Sequence, residues 1–351
     1  MSGAARGVGA ALLRGGLSVL SPVYATLMRA RNKRFDWGWG VRRLARPVIS
    51  VGNVTTGGTG KTPVVRWLCE RLRDAGIRPA VLMRGYKAEP GERGDEQAML
   101  EDLLNRDGLT PVVVRADPSR YAGGQAVIRE HADVAVMVMD DGFQHRRLAR
   151  DFDLVLIDAC EPFGYGRVIP RGMLREPLTG LRRADAVLVT RANQVDAGDV
   201  QRIVARVREI HPAAPVYRCS HAHVGLRSAD GGLHSLEELS GQRFYAFAGI
   251  GNPSGLEKQL RQLSGELVGR EWFPDHWGYA PRDLQRVRTS AQAAGAAVIV
   301  TTEKDWVKVA DLVGAAEGIP VWRLELTVQF EDGDEGKLFE QILACVRARI
   351  S

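Results

Sequence analysis

Apolar residues recur in this chain as short runs separated by amphipathic stretches. The strand-like runs of its first part lie at residues 47–51, 79–83, 111–114, 133–139, 152–157 and 186–190. Helix-like stretches alternate with them, for example at residues 95–106 and 118–131. Strands that alternate with helices are typical of parallel α/β sheets, and nearly all-apolar runs are typical of strands buried on both faces. The pattern predicts a parallel sheet with helices on both faces over residues 45–215.

A second α/β pattern begins near residue 216. Its strand-like and helix-like stretches lie at residues 244–249, 254–264, 267–271, 281–294, 297–301 and 336–349. A chain of 351 residues that is 45% hydrophobic has enough length and apolar content for two cores. We therefore predict a smaller α/β domain over residues 216–351. Because ligand sites favour domain interfaces, we expect this domain to close an active-site cleft.

Residues 1–44 have an apolar periodicity of their own. Apolar side chains recur at steps of three and four, at Leu13, Leu17, Leu20, Tyr24 and Leu27. This spacing gives a helix with one apolar face. The longest uncharged run covers residues 15–28, which is shorter than the about 20 residues that span a bilayer. Cations and aromatic side chains follow at Arg29, Arg31, Lys33, Arg34, Phe35, Trp37 and Trp39.

Cations beside interfacial aromatics are typical of helices that lie on an anionic membrane surface. We therefore predict a membrane-docking segment, and a helix packed on the protein's own core is the alternative. The leader also explains the net charge of +6, because residues 1–50 hold nine Arg or Lys and one acid. The rest of the chain is close to neutral, so we expect no nucleic-acid partner. No obligate protein partner is evident.

Cysteine usage indicates the compartment. The four cysteines are Cys69, Cys160, Cys219 and Cys345. They show no paired spacing, and the chain has enough apolar residues to build its cores without cross-links. A disulfide framework is therefore not expected, and a reducing cytoplasm fits best.

The strand-like run at residues 47–51 is followed by a glycine-rich loop and then by a helix-like stretch. The loop consists of Thr56, Gly57, Gly58, Thr59, Gly60, Lys61 and Thr62. It matches a P-loop in the strand-to-helix context that such a match requires. Backbone N–H groups and Lys61 would bind a triphosphate, and Thr62 would bind Mg²⁺. Thr55 stands where the strict pattern has glycine, and a chance glycine-rich turn is the alternative.

The apolar run at residues 133–139 ends in Asp140 and Asp141. Ligands of doubly wound sheets bind at the carboxyl ends of strands. Both carboxylates could therefore face the P-loop and hold Mg²⁺ directly or through water. A solvated turn is the alternative, above all for Asp141. Gln144 and His145 follow and could place a polar cluster beside the phosphates.

Other polar groups also stand at predicted strand ends. They include Arg84, Tyr86, Asp95, Asp275, His276 and residues 301–305. From the residues alone, Asp95 could equally be the N-cap of the helix that follows it, and His276 an ordinary loop histidine. His221 and His223 lack cysteine or carboxylate partners at zinc spacing, so we interpret them as surface residues of an exposed strand.

Six motifs, taken together and in order, resemble the tetraacyldisaccharide 4′-kinases of lipid A synthesis. They lie at residues 57–63, 84–86, 94–96, 140–145, 273–276 and 301–305. The Asp-Gly-Phe-Gln-His string at residues 141–145 is far more specific than the P-loop itself. The resemblance implies ATP-dependent phosphorylation of the 4′-hydroxyl of a tetraacylated glucosamine disaccharide 1-phosphate. It also implies a place on the cytoplasmic face of the inner membrane, with an N-terminal docking helix.

The same resemblance implies a role for each matching residue. The P-loop binds ATP and Mg²⁺, Asp95 and His276 form the catalytic pair, and Asp140 and Asp141 support metal and phosphate. The residues that would contact substrate or support the reacting groups are Arg84, Tyr86, Gln144 and His145. A carboxylate such as Asp95 can accept the proton of a sugar hydroxyl, and a histidine can orient that carboxylate.

A P-loop GTPase or ATPase that acts as a switch or a metallochaperone is the alternative function. A GTPase of this kind should carry an Asn-Lys-x-Asp string after a later strand. The corresponding residues 189–194 read Val-Thr-Arg-Ala-Asn-Gln, which is a different string. A non-catalytic membrane adaptor that binds nucleotide for stability is a further alternative.

Overall fold

In a computed structural model, which describes residues 8–85, 94–251, 253–275, 277–314 and 318–350, the chain divides into two units. The first unit comprises Met1–Ala88, Leu100–His221 and Val328–Ser351, and the second comprises Glu89–Met99 and Ala222–Thr327. Besides the short segment Glu89–Met99, the chain passes from the first unit to the second within a strand near residue 221 and returns within another near residue 328.

The strands of the described residues are β1 (Val48–Asn53), β2 (Pro79–Met83), β3 (Val113–Ala116), β4 (Val136–Asp140), β5 (Phe152–Asp158), β6 (Ala186–Thr190), β7 (Val216–Arg227), β8 (Leu233–His234), β9 (Arg243–Gly249), β10 (Glu266–Phe273), β11 (Val298–Thr302) and β12 (Val321–Phe330). The helices are α1 (Val8–Asp36), α2 (Lys61–Asp74), α3 (Asp95–Asn105), α4 (Arg120–Glu130), α5 (Ala197–Ile210), α6 (Pro253–Leu260), α7 (Pro281–Ala293), α8 (Glu303–Gly314) and α9 (Asp334–Ile350).

The sheet of the first unit has the strand order β7-β6-β5-β1-β4-β2-β3, and its neighbouring strands are parallel. Strand β5 shows why both faces are covered. Leu154 and Leu156 pack in a core with residues of α2 and α9, whereas Val155 and Ile157 pack in another core with residues of α5. Successive side chains of a strand point to opposite faces. The predicted parallel sheet with helices on both faces is confirmed.

The strands of the second unit have the order β10-β9-β11-β12. These neighbours are also parallel. Ile299 packs in one core with residues of α7 and α8, while Val298 and Val300 pack in a second core with residues of α6. The second α/β pattern of the sequence therefore corresponds to a second set of parallel strands, with helices on both faces.

The C-terminal helix packs on the first unit, although the predicted second domain included it. The indole of Trp67 in α2 lies 4.6 Å from the ring of Phe330 and 6.5 Å from that of Phe339. Its Nε1 donates a 2.9 Å hydrogen bond to Glu335. An apolar stripe shows that a helix is covered, but it does not show which sheet covers it.

Helix α1 runs from Val8 to Asp36 and contains Pro22. Ser21 and Ala25 are buried, whereas Leu20 and Leu27 are 55% and 63% exposed. The hydroxyl of Tyr24 donates a 2.8 Å hydrogen bond to the Arg175 carbonyl. The predicted apolar stripe is therefore divided, with Tyr24 facing the protein and the two leucines facing solvent. In the described part of the chain, every helix is too short or too polar to cross a membrane.

Candidate active site

The glycine-rich loop joins β1 to α2, as predicted. Gly60 has a φ of 74° and lies directly before the first residue of α2, Lys61. A Cβ atom at Gly60 would lie 1.8 Å from Cε1 of His221. Both its positive φ and the neighbouring ring thus require glycine at position 60. Gly57 also has a positive φ, of 134°.

Neighbouring segments hold this loop in place. The N–H of Thr56 donates a 2.7 Å hydrogen bond to the carbonyl of Met173. The hydroxyl of Thr190, at the end of β6, donates a 3.0 Å hydrogen bond to the carbonyl of Thr59. The side-chain amide of Asn53 and the hydroxyl of Thr59 are buried, and no described residue hydrogen-bonds to either group. Buried polar groups are usually satisfied, so these two suit a polar ligand at the loop.

Two cations converge on Asp141, directly after β4. Lys61 Nζ lies 3.4 Å from one of its carboxylate oxygens, and Arg175 Nη1 lies 2.7 Å from the other. Burial raises the pKa of Asp141, but the charges of Lys61 and Arg175 outweigh it and lower the pKa below its ordinary value. Asp141 is therefore an anion at neutral pH. Asp141 lies in the turn after β4, and its carboxylate is paired with two cations there.

Asp140 is the last residue of β4 and pairs in register with Val51 of β1. The buried Arg120 lies near both acids: burial lowers the pKa of its guanidinium, and Asp141 and Asp140 oppose that shift. Groups of three or more His, Cys, Asp or Glu that could hold a metal do not occur among the residues described. Mg²⁺ usually needs only one or two carboxylates besides phosphate and water, so Asp140, Asp141 and the Thr62 hydroxyl suit it.

A buried carboxylate organises the other side of this site. Glu176 is fully buried and accepts two hydrogen bonds from Arg183 Nη2, at 2.9 and 3.0 Å. The amide of Gln144 donates to Glu176 at 3.0 Å and to the carbonyl of Asn53 at 2.9 Å. Gln144 is therefore held against the end of β1, directly before the glycine-rich loop.

His145 is half-buried among arginines. Burial, together with the positive charges of Arg120 and Arg150, lowers the pKa of His145 to about 4. The imidazole is therefore neutral at pH 7 and can accept or donate a hydrogen bond without adding positive charge.

The other predicted site residues are only partly described. Arg84 is exposed and follows β2 at its carboxyl end. Asp95 is the first residue of α3, and one of its carboxylate oxygens lies 3.5 Å from Lys308 Nζ. Tyr86 and His276 lie outside the described residues. The catalytic pair of Asp95 and His276 thus stays a prediction.

The motif at residues 301–305 has a structural role in the second unit. Asp305 is fully buried and accepts hydrogen bonds from the hydroxyls of Tyr279 at 2.9 Å and Thr302 at 2.6 Å. These bonds fix the start of α8 against the segment before α7. Lys304, in the same turn, contacts the carboxylate of Asp275.

The interpretation of His221 as a surface residue is wrong. His221 is buried, and its ring lies against Gly60 of the loop. His223 is half-buried, and its Nε2 lies 3.2 Å from the amide oxygen of Gln259. Strand β7 thus places the His221 ring against the backbone of Gly60 and the His223 ring beside the side chain of Gln259.

The residues that sequence reasoning missed lie mostly in one segment. Residues 159–177 connect β5 to the next regular element with only a short 3₁₀ turn, and they carry Arg175 and Glu176. Structureless connections of this length are uncommon in compact domains and are usually functional. The length of this connection could therefore have indicated that it carries functional residues. For Asn32 and Arg120, which lie in helices, we find no comparable signal in the sequence.

A parallel sheet with a glycine-rich strand-to-helix loop and an acidic strand end beside it defines a P-loop nucleoside triphosphate-binding protein. A family model described as LpxK, tetraacyldisaccharide-1-P 4′-kinase, matches residues 13–347. The chain belongs to this family of phosphotransferases, so the switch and metallochaperone alternatives are set aside.

Individual relatives agree with this assignment. A tetraacyldisaccharide 4′-kinase of Syntrophus aciditrophicus is 39% identical over 93% of this chain and 92% of the relative. One from an Anaeromyxobacter strain is 40% identical over 86% of this chain and 84% of the relative. A crystal structure of LpxK from Aquifex aeolicus in complex with ATP superimposes with a TM-score of 0.74, at 28% identity, over 95% of this chain and 99% of that one.

Proposed function

We propose that this chain transfers the γ-phosphoryl group of ATP to the 4′-hydroxyl of a tetraacyldisaccharide 1-phosphate. The observation that carries the proposal is the convergence of Lys61 and Arg175 on Asp141 beside the glycine-rich loop. Phosphoryl transfer depends on positioning and on stabilising the charge of the transferring group. An ammonium group beside backbone N–H groups and an ionised carboxylate supplies what a metal–triphosphate complex needs.

Each part of the site has a proposed role. The N–H groups of residues 57–62 and the Lys61 ammonium group bind the β- and γ-phosphates, while Thr56 anchors the start of the loop to Met173. Thr62, Asp140 and Asp141 would hold Mg²⁺, which neutralises phosphate charge when bound. Gln144 and the neutral His145 support these groups by hydrogen bonding.

Asp95 is the proposed general base. A sugar hydroxyl is a weak nucleophile at neutral pH, and a carboxylate can accept its proton while the new O–P bond forms. The side chain of Lys308 is only 7% exposed, and its Nζ lies 3.5 Å from the carboxylate of Asp95 at the start of α3, which is 65% exposed. His276 completes the proposed pair by orienting Asp95, and Arg84 and Tyr86 would contact the substrate.

The direct test is an assay with purified chain, [γ-³²P]ATP and tetraacyldisaccharide 1-phosphate in detergent micelles. We expect one equivalent of phosphate to be transferred, and ³¹P NMR of the product to place it on the 4′-oxygen. A second substrate whose 4′-hydroxyl is replaced by hydrogen serves as the control and should accept no label. ATP hydrolysis at the same rate with and without the glycolipid would overturn the proposal in favour of a nucleotide switch.

The solvent-facing side of α1 is the proposed membrane contact. Apolar side chains are exposed along it and after it, at Val19, Leu20, Val23, Leu27, Trp37 and Trp39. Lys33 Nζ lies 5.3 Å from the centre of the Trp37 ring. Exposed apolar patches flanked by cations suit the headgroup layer of an anionic bilayer. We propose that this face docks the enzyme on the cytoplasmic side of the inner membrane, where ATP and the glycolipid meet.

We expect the variant Leu20→Ser/Leu27→Ser to bind vesicles with 30% anionic lipid at least about tenfold more weakly, because each leucine loses apolar burial in the bilayer. Co-sedimentation at low and high salt measures this effect. Lys33→Gln/Arg34→Gln is the matched polar variant, and it should weaken binding mainly at low salt. Unchanged sedimentation of the double-serine variant would rule out this face as the docking surface.

A further inference from the structure

Hydrogen bonds from the protein-facing side of α1 connect this helix to the segment that follows β5. The hydroxyl of Ser21 donates to the carbonyl of Val168 at 2.9 Å. The hydroxyl of Tyr24 donates to the carbonyl of Arg175 at 2.8 Å. Both acceptors belong to the connection that follows β5, and this connection also accepts the N–H of Thr56 in the glycine-rich loop. The helix thus contacts the same segment that holds the loop.

Asn32, about two turns further along α1, reaches the buried acid of the site. Its Nδ2 donates a 2.6 Å hydrogen bond to Oε2 of Glu176, and its backbone carbonyl accepts a 2.7 Å hydrogen bond from Arg146. Glu176 is fully buried, and Arg183 and Gln144 also donate hydrogen bonds to it. A buried carboxylate is costly unless donors satisfy it. Asn32 is therefore part of what keeps Glu176 in one position.

Glu176 in turn positions two groups of the phosphate site. Oε1 of Glu176 accepts from the amide of Gln144, which also bonds to the last residue of β1. The residue before Glu176 is Arg175, whose guanidinium lies 2.7 Å from Asp141. Asp141 then lies 3.4 Å from Lys61. Displacement of Glu176 would therefore move groups on both sides of the proposed phosphates.

We infer that Asn32 is a positioning residue for the nucleotide site, acting through Glu176 on Gln144 and Arg175. This inference rests on the proposed function for the site itself. It means that α1 has two separate sides: a solvent-facing side proposed for lipid and a protein-facing side that sets the geometry for ATP. Asn32 needs no contact with ATP to act, because the hydrogen bonds of Glu176 carry its effect.

The test measures ATP and glycolipid constants separately, using the full chain and detergent micelles. Asn32→Leu keeps the side-chain volume close and removes the donor. We expect it to raise KM for MgATP and Kd for a fluorescent ATP analogue by about tenfold, with KM for the glycolipid within about twofold. Asn32→Gln retains a carboxamide and should recover part of the loss. If Asn32→Leu does not fold, Asn32→Ala removes the same donor without an apolar branch and gives the same constants.

The matched control lies on the same helix. Leu20→Ser/Leu27→Ser should change vesicle binding and glycolipid KM while leaving the Kd of the ATP analogue within about twofold. Asn32→Leu combined with Gln144→Leu should lose less ATP affinity than the sum of the two single losses, because both act through Glu176. If the wild-type chain binds the analogue and Asn32→Leu and Asn32→Ala bind it equally well, the inference is overturned. If the wild-type chain does not bind it, the proposed nucleotide site fails instead.

Discussion

The Lys61→Ala variant is expected to lose about 10³-fold in kcat/KM for ATP, because an ammonium group that stabilises charge on the transferring phosphoryl is removed. The protein should still fold, since Asp141 keeps Arg175 as its cationic partner at 2.7 Å. Steady-state kinetics with varied MgATP at saturating glycolipid measure the loss. Binding of a fluorescent ATP analogue gives an independent measure of affinity, and thermal unfolding shows whether the fold is intact.

Lys337→Ala is the matched control, because Lys337 is an exposed lysine of α9 in the same unit. It should leave both constants within about twofold, as surface substitutions usually do. Lys61→Arg tests geometry rather than charge. A guanidinium is larger and planar, so we expect it to restore little of the activity. Retention of wild-type ATP affinity by Lys61→Ala would mean that the triphosphate binds elsewhere.

Most of the fold could be predicted from the sequence, because strands that are buried on both faces consist of runs of apolar residues. The run at residues 133–139 predicted the strand that carries the acidic pair, and β4 is found at Val136–Asp140. The shift at its start has a simple cause. Val134 is fully buried but lies before the residues that pair with β1. An apolar residue indicates burial, and it does not indicate backbone hydrogen bonding. The end of the strand was not visible either, because Asp140 is paired although it is charged.

Residues of the candidate site could be predicted only where they lie together in one contiguous motif. The glycine-rich loop and the acidic pair are contiguous motifs, so their residues could be named in advance. Arg175 and Glu176 meet their partners Asp141 and Gln144 from 34 and 32 residues away, and Asn32 meets Glu176 from 144 residues away. Contacts of this kind depend on how helices and connections cross the sheet, and no spacing within one sequence encodes them.

The leader shows the limit of periodicity. Its apolar steps predicted a helix, and α1 is a helix. The same steps could not separate the side that packs on the protein from the side that is exposed, because both sides of α1 contain apolar residues. Buried Ser21 and the partly buried Asn32 mark the protein-facing side through hydrogen bonds, and a hydrophobicity pattern scores both residues as solvent-facing.

The Asp95→Asn variant should lower kcat by about 10³-fold while KM for MgATP changes by no more than about threefold. The amide has nearly the same shape as the carboxylate but cannot accept the proton of the 4′-hydroxyl, so chemistry slows while nucleotide binding persists. Single-turnover kinetics with enzyme in excess of the glycolipid measure the chemical step without product release. Loss of the carboxylate also leaves Lys308, 3.5 Å away, without that acidic partner.

This second effect of Asp95→Asn needs its own control, because a misplaced Lys308 could slow the reaction without any role for a base. Lys308→Met removes the ammonium group and keeps the carboxylate, so a base at position 95 predicts that this variant retains far more activity than Asp95→Asn. Asp311→Asn, at an exposed carboxylate on the same helix α8, should be close to wild type. Equal losses in Asp95→Asn and Lys308→Met would assign the effect to the ion pair, and an unchanged rate in Asp95→Asn would exclude Asp95 as the base. The larger loss is expected at position 95 because proton transfer from the alcohol has no substitute there, whereas α3 still holds the carboxylate when Lys308 is gone.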